Sequence, residues 1–121
     1  MGAKNAQLLT QVRQAGYETL RVEQPRANRW LLTLRTPEGG ELLAMAQQRP
    51  LISAADVQDL AELLRLRRMP SGMLLALGGR FSPEAQRTAL ELRHPRIQLC
   101  VELPAAANGA LGLSSLEAAR Q

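Results

Sequence analysis

The sequence GGRFSP at positions 78–83 combines residue types that can bind an anion. Two glycines let the backbone approach a ligand closely, and Ser82 followed by proline is typical of a helix N-terminus. Free amides at a helix start, the helix dipole and the Arg80 guanidinium would together favour a phosphate. We therefore predict that Arg80 and Ser82 belong to an anion or nucleic-acid binding site. The alternative is an ordinary strand-to-helix loop that Phe81 anchors to the core.

Two groups of basic residues lie at the ends of predicted helices. They are Arg65, Arg67 and Arg68 in the first group and Arg93, His94 and Arg96 in the second. Cations at a helix C-terminus are favourable without any ligand, because they face the negative end of the dipole. As a functional alternative, Arg65, Arg67 and Arg68 bind DNA phosphates, which sets position but does not read sequence. Phe, Trp and Tyr occur once each, which argues against stacking on single-stranded bases.

The acidic residues show no pattern typical of metal ligands. Glu38 and Glu41 flank a predicted turn, and surface solubility explains them best. Asp56, Asp59 and Glu62 lie three residues apart on one predicted helix face, which is typical of a solvated surface. We predict no metal site.

Several catalytic classes are excluded by residue counts. Cys100 is the only cysteine and His94 the only histidine, so neither a multi-cysteine zinc site nor most histidine-based metal sites can form. Cys100 falls in a predicted strand and is interpreted as a small core residue. The only lysine is Lys4, so no later lysine can serve as a Schiff base or in a phosphate loop. We predict no cofactor and no catalytic residue.

The composition indicates one globular domain. The chain has 121 residues, of which 45% are hydrophobic and 21% charged, and its net charge of +4 permits a polyanionic partner without requiring one. No apolar run approaches the ~20 residues that span a bilayer, and the start lacks the apolar core of a signal peptide. We expect a cytoplasmic protein with no membrane partner. The domain is predicted over 1–104, followed by an Ala/Gly/Ser-rich tail over 105–121.

Hydrophobic periodicity and turn residues predict the elements. They are helices over 5–15, 53–68 and 82–93 and strands over 17–24, 30–35, 41–47, 73–77 and 97–102. Gly16 is placed as a left-handed C-cap, and Pro25 is predicted to end the first strand. The turn at 36–40 makes a hairpin, and the apolar run 73–77 suits a strand buried on both faces. The tail is predicted to form a short helix over 113–120 or to be a frayed end.

The order α-β-β-β-α-β-α-β predicts an α/β fold with a mixed central sheet and helices on both faces. Two segments then resemble a known family. LLTQVRQAGYETLRV at 8–22 is similar to the first helix and strand of Mrr-like restriction endonuclease domains. LLALGGRFSPEAQRTALELRHPRIQLC at 74–100 is similar to the second half of those domains. The resemblance covers about residues 5–103 and implies the PD-(D/E)xK, restriction-endonuclease-like fold.

This resemblance also implies a metal-dependent nuclease site, and the sequence departs from it. The motif of the third strand falls on positions 46–48, where Ala46 replaces the acidic or Gln residue and Gln48 the lysine. The acid of the second strand would fall within 28–32. This segment contains no acidic residue, and Trp30 lies at its centre. The acid of the first helix would fall near Lys4 or Asn5. The resemblance therefore implies a degenerate site at Ala46 and Gln48.

Three functions follow for comparison. The first is a catalytically silent, restriction-endonuclease-like domain that binds duplex DNA or belongs to a DNA-processing or defence complex. The second is a protein-interaction or oligomerisation module on the same fold, with a protein partner or a second copy. The third is an active metal-dependent endonuclease, which only the resemblance favours. Arginines along one stripe would favour DNA, and scattered arginines would favour the interaction module.

Overall fold

The computed structural model of the protein describes residues 3–105, so the predicted tail helix lies outside the described residues. The helices and strands are α1 (Ala3–Gln14), β1 (Glu18–Arg26), β2 (Arg29–Arg35), β3 (Glu41–Gln47), β4 (Leu51–Ile52), α2 (Ala54–Leu66), β5 (Ser71–Ala76), β6 (Arg80–Phe81), α3 (Pro83–Glu91) and β7 (Arg96–Cys100). Within this range, no helix is long and apolar enough to cross a bilayer.

The five long strands form one mixed sheet in the order β1-β2-β3-β5-β7. β1, β2 and β3 are antiparallel neighbours joined by short turns, whereas β3, β5 and β7 are parallel and joined through α2 and α3. β4 and β6 pair separately as a two-stranded parallel sheet. The predicted α/β class with a mixed sheet is confirmed.

The sheet separates two apolar clusters, with α1 on one face and both α2 and α3 on the other. Leu8 and Val12 of α1 pack over one face, and Leu60 of α2 packs over the other. β5 contributes to both clusters, because Met73 faces α1 and Leu74 faces α2. The prediction that this strand is buried on both faces is confirmed.

Some predicted boundaries were wrong, for identifiable reasons. β1 continues through Pro25 to Arg26, since an edge strand tolerates proline and the pairing with β2 shifts register there. Helix α2 ends at Leu66, and Arg68 takes the left-handed conformation (φ 56°) just beyond it. The strands β4 and β6 were missed, because two residues carry no periodicity.

Gly79 closes the loop that leads into β6. A Cβ atom at this position would collide with the carbonyl oxygen of Arg49, so only glycine fits without moving the backbone. The loop is therefore packed directly against the segment that follows β3.

Candidate functional site

The positions where the resemblance implies a nuclease site lie at the open end of the β2–β3 hairpin, away from its turn. Trp30 at the start of β2 lies directly across from Ala46 near the end of β3. The indole Nε1 of Trp30 donates a hydrogen bond of 2.7 Å to Oδ1 of Asn5 on α1. Trp30 is 2% exposed. The three positions that the resemblance assigns to acidic or Gln residues are therefore linked through Trp30, which pairs with Ala46 and bonds to Asn5.

Gln48 follows β3 at the mouth of this region. Its side chain is exposed and lines a groove of about 250 Å³ together with Gln7 and Gln11 of α1 and Leu77 after β5. Amide side chains can donate and accept hydrogen bonds, but they carry no charge to offer a phosphate or a cation. The groove therefore has a mixed amide and apolar lining that carries no charge.

The metal ions that the resemblance to PD-(D/E)xK nucleases implies do not fit these residues. Mg²⁺ prefers carboxylate oxygens, and this face offers an indole, a methyl group and neutral amides instead. Over residues 3–105, no three or more His, Cys, Asp or Glu side chains gather where they could hold a metal ion. We derive no metal-dependent step for this site.

The opposite face of the same strand ends carries a buried charged network. Arg29, next to Trp30, donates from Nε to Gln47 Oε1 (2.8 Å) and from Nη2 to Asp56 Oδ1 (2.9 Å). Gln47 donates from Nε2 to the same Asp56 oxygen at 2.9 Å. The exposed fractions of Arg29, Gln47 and Asp56 are 7%, 1% and 3%. The network joins β2, β3 and the first turn of α2.

Asp56 corrects the prediction of a solvated acidic face. Its Oδ2 accepts hydrogen bonds from the Ser53 amide (2.8 Å) and the Ser53 hydroxyl (3.1 Å), and Arg49 lies 3.4 Å away. Burial alone would raise the pKa of Asp56, but the hydrogen bonds from Ser53 and Gln47 and the charge of Arg49 hold it below its ordinary value. Asp59 and Glu62 are exposed as predicted, although Asp59 also contacts Arg29 at 3.3 Å.

In the loop at Arg80 and Ser82, backbone amides that were predicted to be free form hydrogen bonds within the protein. The Arg80 amide donates to the Pro50 carbonyl (3.1 Å) and the Ser82 amide to the Ile52 carbonyl (2.9 Å). The Ser82 hydroxyl accepts from the Ala85 amide at 3.0 Å, which confirms the N-cap. These two amides therefore bind protein carbonyls, whereas the Arg80 side chain is exposed and can reach an anion.

The three arginines at the end of α2 have different surroundings. Arg67 forms two hydrogen bonds with the Glu23 carboxylate, at 3.0 and 3.2 Å, and this pair holds the pKa of Glu23 below its ordinary value. Arg65 and Arg68 are exposed, and within the described residues neither forms an ion pair. Arg67 therefore links the end of α2 to β1 through Glu23.

Arg65 and Arg68 lie at the same end of the sheet as the second basic group, because the starts of β5 and β7 are paired. The Arg96 amide donates to the carbonyl of Pro70, two residues after Arg68, and Arg93 and Arg96 are exposed. We call Arg65, Arg68, Arg93 and Arg96 the basic end. Arg80 lies at the other end of β5, whose six residues span about 20 Å. The nucleic-acid candidates therefore divide between two ends of the sheet.

The remaining candidates have structural surroundings. Cys100 is buried, and burial raises the pKa of its thiol, which disfavours the nucleophilic thiolate. The Tyr17 hydroxyl donates to the Pro104 carbonyl at 3.3 Å, and burial raises its pKa. Glu38 and Glu41 are exposed, as predicted. None of these residues adds to a catalytic centre.

Comparisons with known proteins identify the fold. No protein-family model matches the chain. No curated protein matches it either. The solved structure of EndoMS in its apo form is similar, with a TM-score of 0.60 and 17% identity, over 86% of this chain and 46% of the EndoMS chain. The chain thus spans less than half of that neighbour. At this identity the likeness shows a shared mixed α/β fold and nothing of function.

Proposed function

We propose that this chain is a nuclease-like domain without a nuclease centre, and that it binds duplex DNA through the phosphate backbone. The observation that carries the proposal is the basic end: the α2–β5 and α3–β7 connections lie at the same end of the sheet, and the arginines there are exposed. Guanidinium groups bind phosphates through paired N–H donors, and phosphate contacts dominate DNA affinity. Arg80 would contribute a separate contact at the far end of β5.

The proposal that the domain does not cleave DNA is supported by Trp30, Asn5 and Ala46, none of which offers a carboxylate to a metal ion. An Mrr-like nuclease would need carboxylates that hold metal ions and a lysine beside them, and Gln48 stands at the lysine position. Assignment to the Mrr-like domains in particular depends on the segments at 8–22 and 74–100. A domain of this kind would recruit or position DNA within a larger complex.

A titration of fluorescent duplex DNA against the purified chain at several salt concentrations tests the proposal. The double variant Arg65→Gln/Arg68→Gln should weaken binding and reduce the log–log salt slope by about 0.9 for each phosphate that is no longer neutralised. Arg21→Gln/Arg35→Gln is the matched control, because it removes the same charge from arginines already paired with Glu23 and Glu18. An equal weakening in both variants would reduce the effect to net charge.

Absence of binding at low salt would refute the DNA proposal, because non-specific binders reach about 10⁻⁴–10⁻⁶ M even at physiological salt. A protein-interaction module is the second candidate function. It is favoured by Leu90, which is 83% exposed on α3 beside an apolar groove that Phe81, Ile97 and Leu99 line. Exposed leucines of this kind are typical of interaction surfaces when they adjoin other apolar groups.

A further inference from the structure

The two edges of the sheet differ in how they resist pairing with another strand. β1 is interrupted by register shifts, contains Pro25, and carries the ion pair of Arg21 and Glu23. Proline, bulges and charges are the usual devices that protect an edge. β7 lacks proline and bonds to β5 in unbroken register on its inner side. Among residues 3–105, no strand pairs with its outer side.

The hydrogen bonds of β7 determine which groups face outward. The Arg96 amide donates inward, to Pro70 beside β5. The N–H and C=O of one strand residue point to the same side, and successive residues alternate. Arg96, Gln98 and Cys100 therefore bond toward β5, and the N–H and C=O groups of Ile97 and Leu99 face outward.

We infer that two copies of this chain associate by antiparallel pairing of their β7 strands about Gln98. In this register Ile97 of one copy lies opposite Leu99 of the second copy, and each such pair exchanges two backbone hydrogen bonds. The two side chains belong to the same face of the sheet, that of α2 and α3. The pairing is therefore self-complementary in hydrogen bonds and in apolar contacts.

Charge complementarity also favours a second copy as the occupant. Arg93 and His94 precede β7 and Glu102 follows it. Antiparallel pairing about Gln98 brings the end of one β7 to the start of the other, and so brings Glu102 of one copy toward Arg93 of the second copy. All three residues are exposed. The twofold axis repeats this contact, so each interface contains two opposite-charge contacts. A parallel arrangement would instead bring the arginines of the two copies together.

Helix α3 extends the interface beyond the strand. It packs against β7 and presents the exposed Leu90 beside the groove of about 410 Å³ that Phe81, Ile97 and Leu99 line. Leu90 of the second copy is of the right size and polarity to enter this groove. Paired backbone and a buried leucine from each copy together give a specific contact that strand pairing alone would make only weakly.

Sedimentation velocity of the full chain over a range of concentrations, without DNA, tests the inference. We expect a concentration-dependent dimer. Leu90→Glu should shift the chain to monomer, because it buries a carboxylate in the interface but changes only an exposed residue of the monomer. Leu66→Glu is the matched control: Leu66 is 73% exposed at the end of α2, and this variant should dimerise like the wild type.

A charge exchange tests the register. Glu102→Arg should weaken the dimer at least tenfold, and addition of Arg93→Glu in the same chain should restore it, since each contact then carries the opposite signs. A chain that stays monomeric up to about 1 mM, a weak-affinity limit, would overturn the inference. Dissociation by Leu66→Glu as readily as by Leu90→Glu would do the same, and so would a failed rescue.

Discussion

Where β2 begins and β3 ends, the two faces of the sheet differ in chemistry: one is apolar and the other is charged. On the α1 face, Trp30 and Ala46 are apolar neighbours, and Asn5 satisfies the indole. On the α2 face, the adjacent residues Arg29 and Gln47 bind a buried Asp56. Carboxylate and guanidinium groups are thus present at this end of the sheet, but on the side away from the position where the resemblance implies catalysis.

This difference shows how the two faces of one pair of strands can carry different chemistry in a single register. Alternation along a strand sends successive side chains to opposite faces, so one face can change while the other is held. The network of Arg29, Gln47 and Asp56 fixes β2, β3 and α2 relative to one another. On the other face, close packing around Trp30 performs the same task with apolar contacts.

The largest effect is expected from breaking the charged face. Asp56→Ala leaves the buried Arg29 without its closest anion and removes the acceptor of the Ser53 amide. Loss of one partner from a buried ion pair costs about 3–5 kcal/mol in the free energy of unfolding. Urea denaturation of the purified chain measures it. Asp59→Ala is the control, since its side chain is 48% exposed and such pairs contribute about 0–1 kcal/mol.

The charged face should also make the stability of the protein depend on pH in the acidic range. The folded-state pKa of Asp56 is lowered, so its contribution is fully present above the ordinary Asp value of about 3.9 and is lost as pH falls through the folded value. Asp56→Asn removes that titration. Thermal unfolding followed from neutral to acidic pH should therefore show a shallower acid decline in the variant than in the wild type. Parallel curves would contradict the assignment.

A smaller effect is expected on the apolar face. Trp30→Phe keeps an aromatic ring between α1 and β3 but removes the Nε1–H donor to Asn5. Removal of this buried hydrogen bond should lower the free energy of unfolding by about 1–2 kcal/mol. A double-mutant cycle with Asn5→Ala measures the coupling between the two side chains. A coupling of zero would show that the bond contributes nothing to holding α1 on the sheet.

Elements encoded by neighbouring residues could be predicted from the sequence, whereas features that depend on contacts between residues far apart in the chain could not. The hairpin strands were predicted almost to the residue, because alternation and the turn at 36–40 are encoded locally. Asp56 was misplaced, because helix periodicity cannot reveal that Arg29, distant in the chain, needs a buried anion. The amides of the loop before α3 were expected to be free, because the two-residue strand β4 beside this loop carries no periodic signal. In the structure, the Arg80 amide donates to Pro50, just before β4, and the Ser82 amide to Ile52 within it. Tertiary pairing decided both cases.

The smallest change, and the one that tests whether the apolar face retains any catalytic capacity, is Gln48→Lys. Gln48 is exposed, so the substitution should change the free energy of unfolding by less than about 0.5 kcal/mol. It restores the cation that the resemblance implies, but Trp30 and Ala46 still provide no carboxylate for a metal ion. We therefore expect neither the wild type nor the variant to nick supercoiled plasmid with Mg²⁺ or Mn²⁺. Metal-dependent nicking that co-purifies with the wild type and is abolished in Gln48→Ala would show that the neutral groove is a catalytic centre after all. Nicking that appears only in Gln48→Lys would show instead that a lysine alone completes the site, and that acids outside this face can hold the metal.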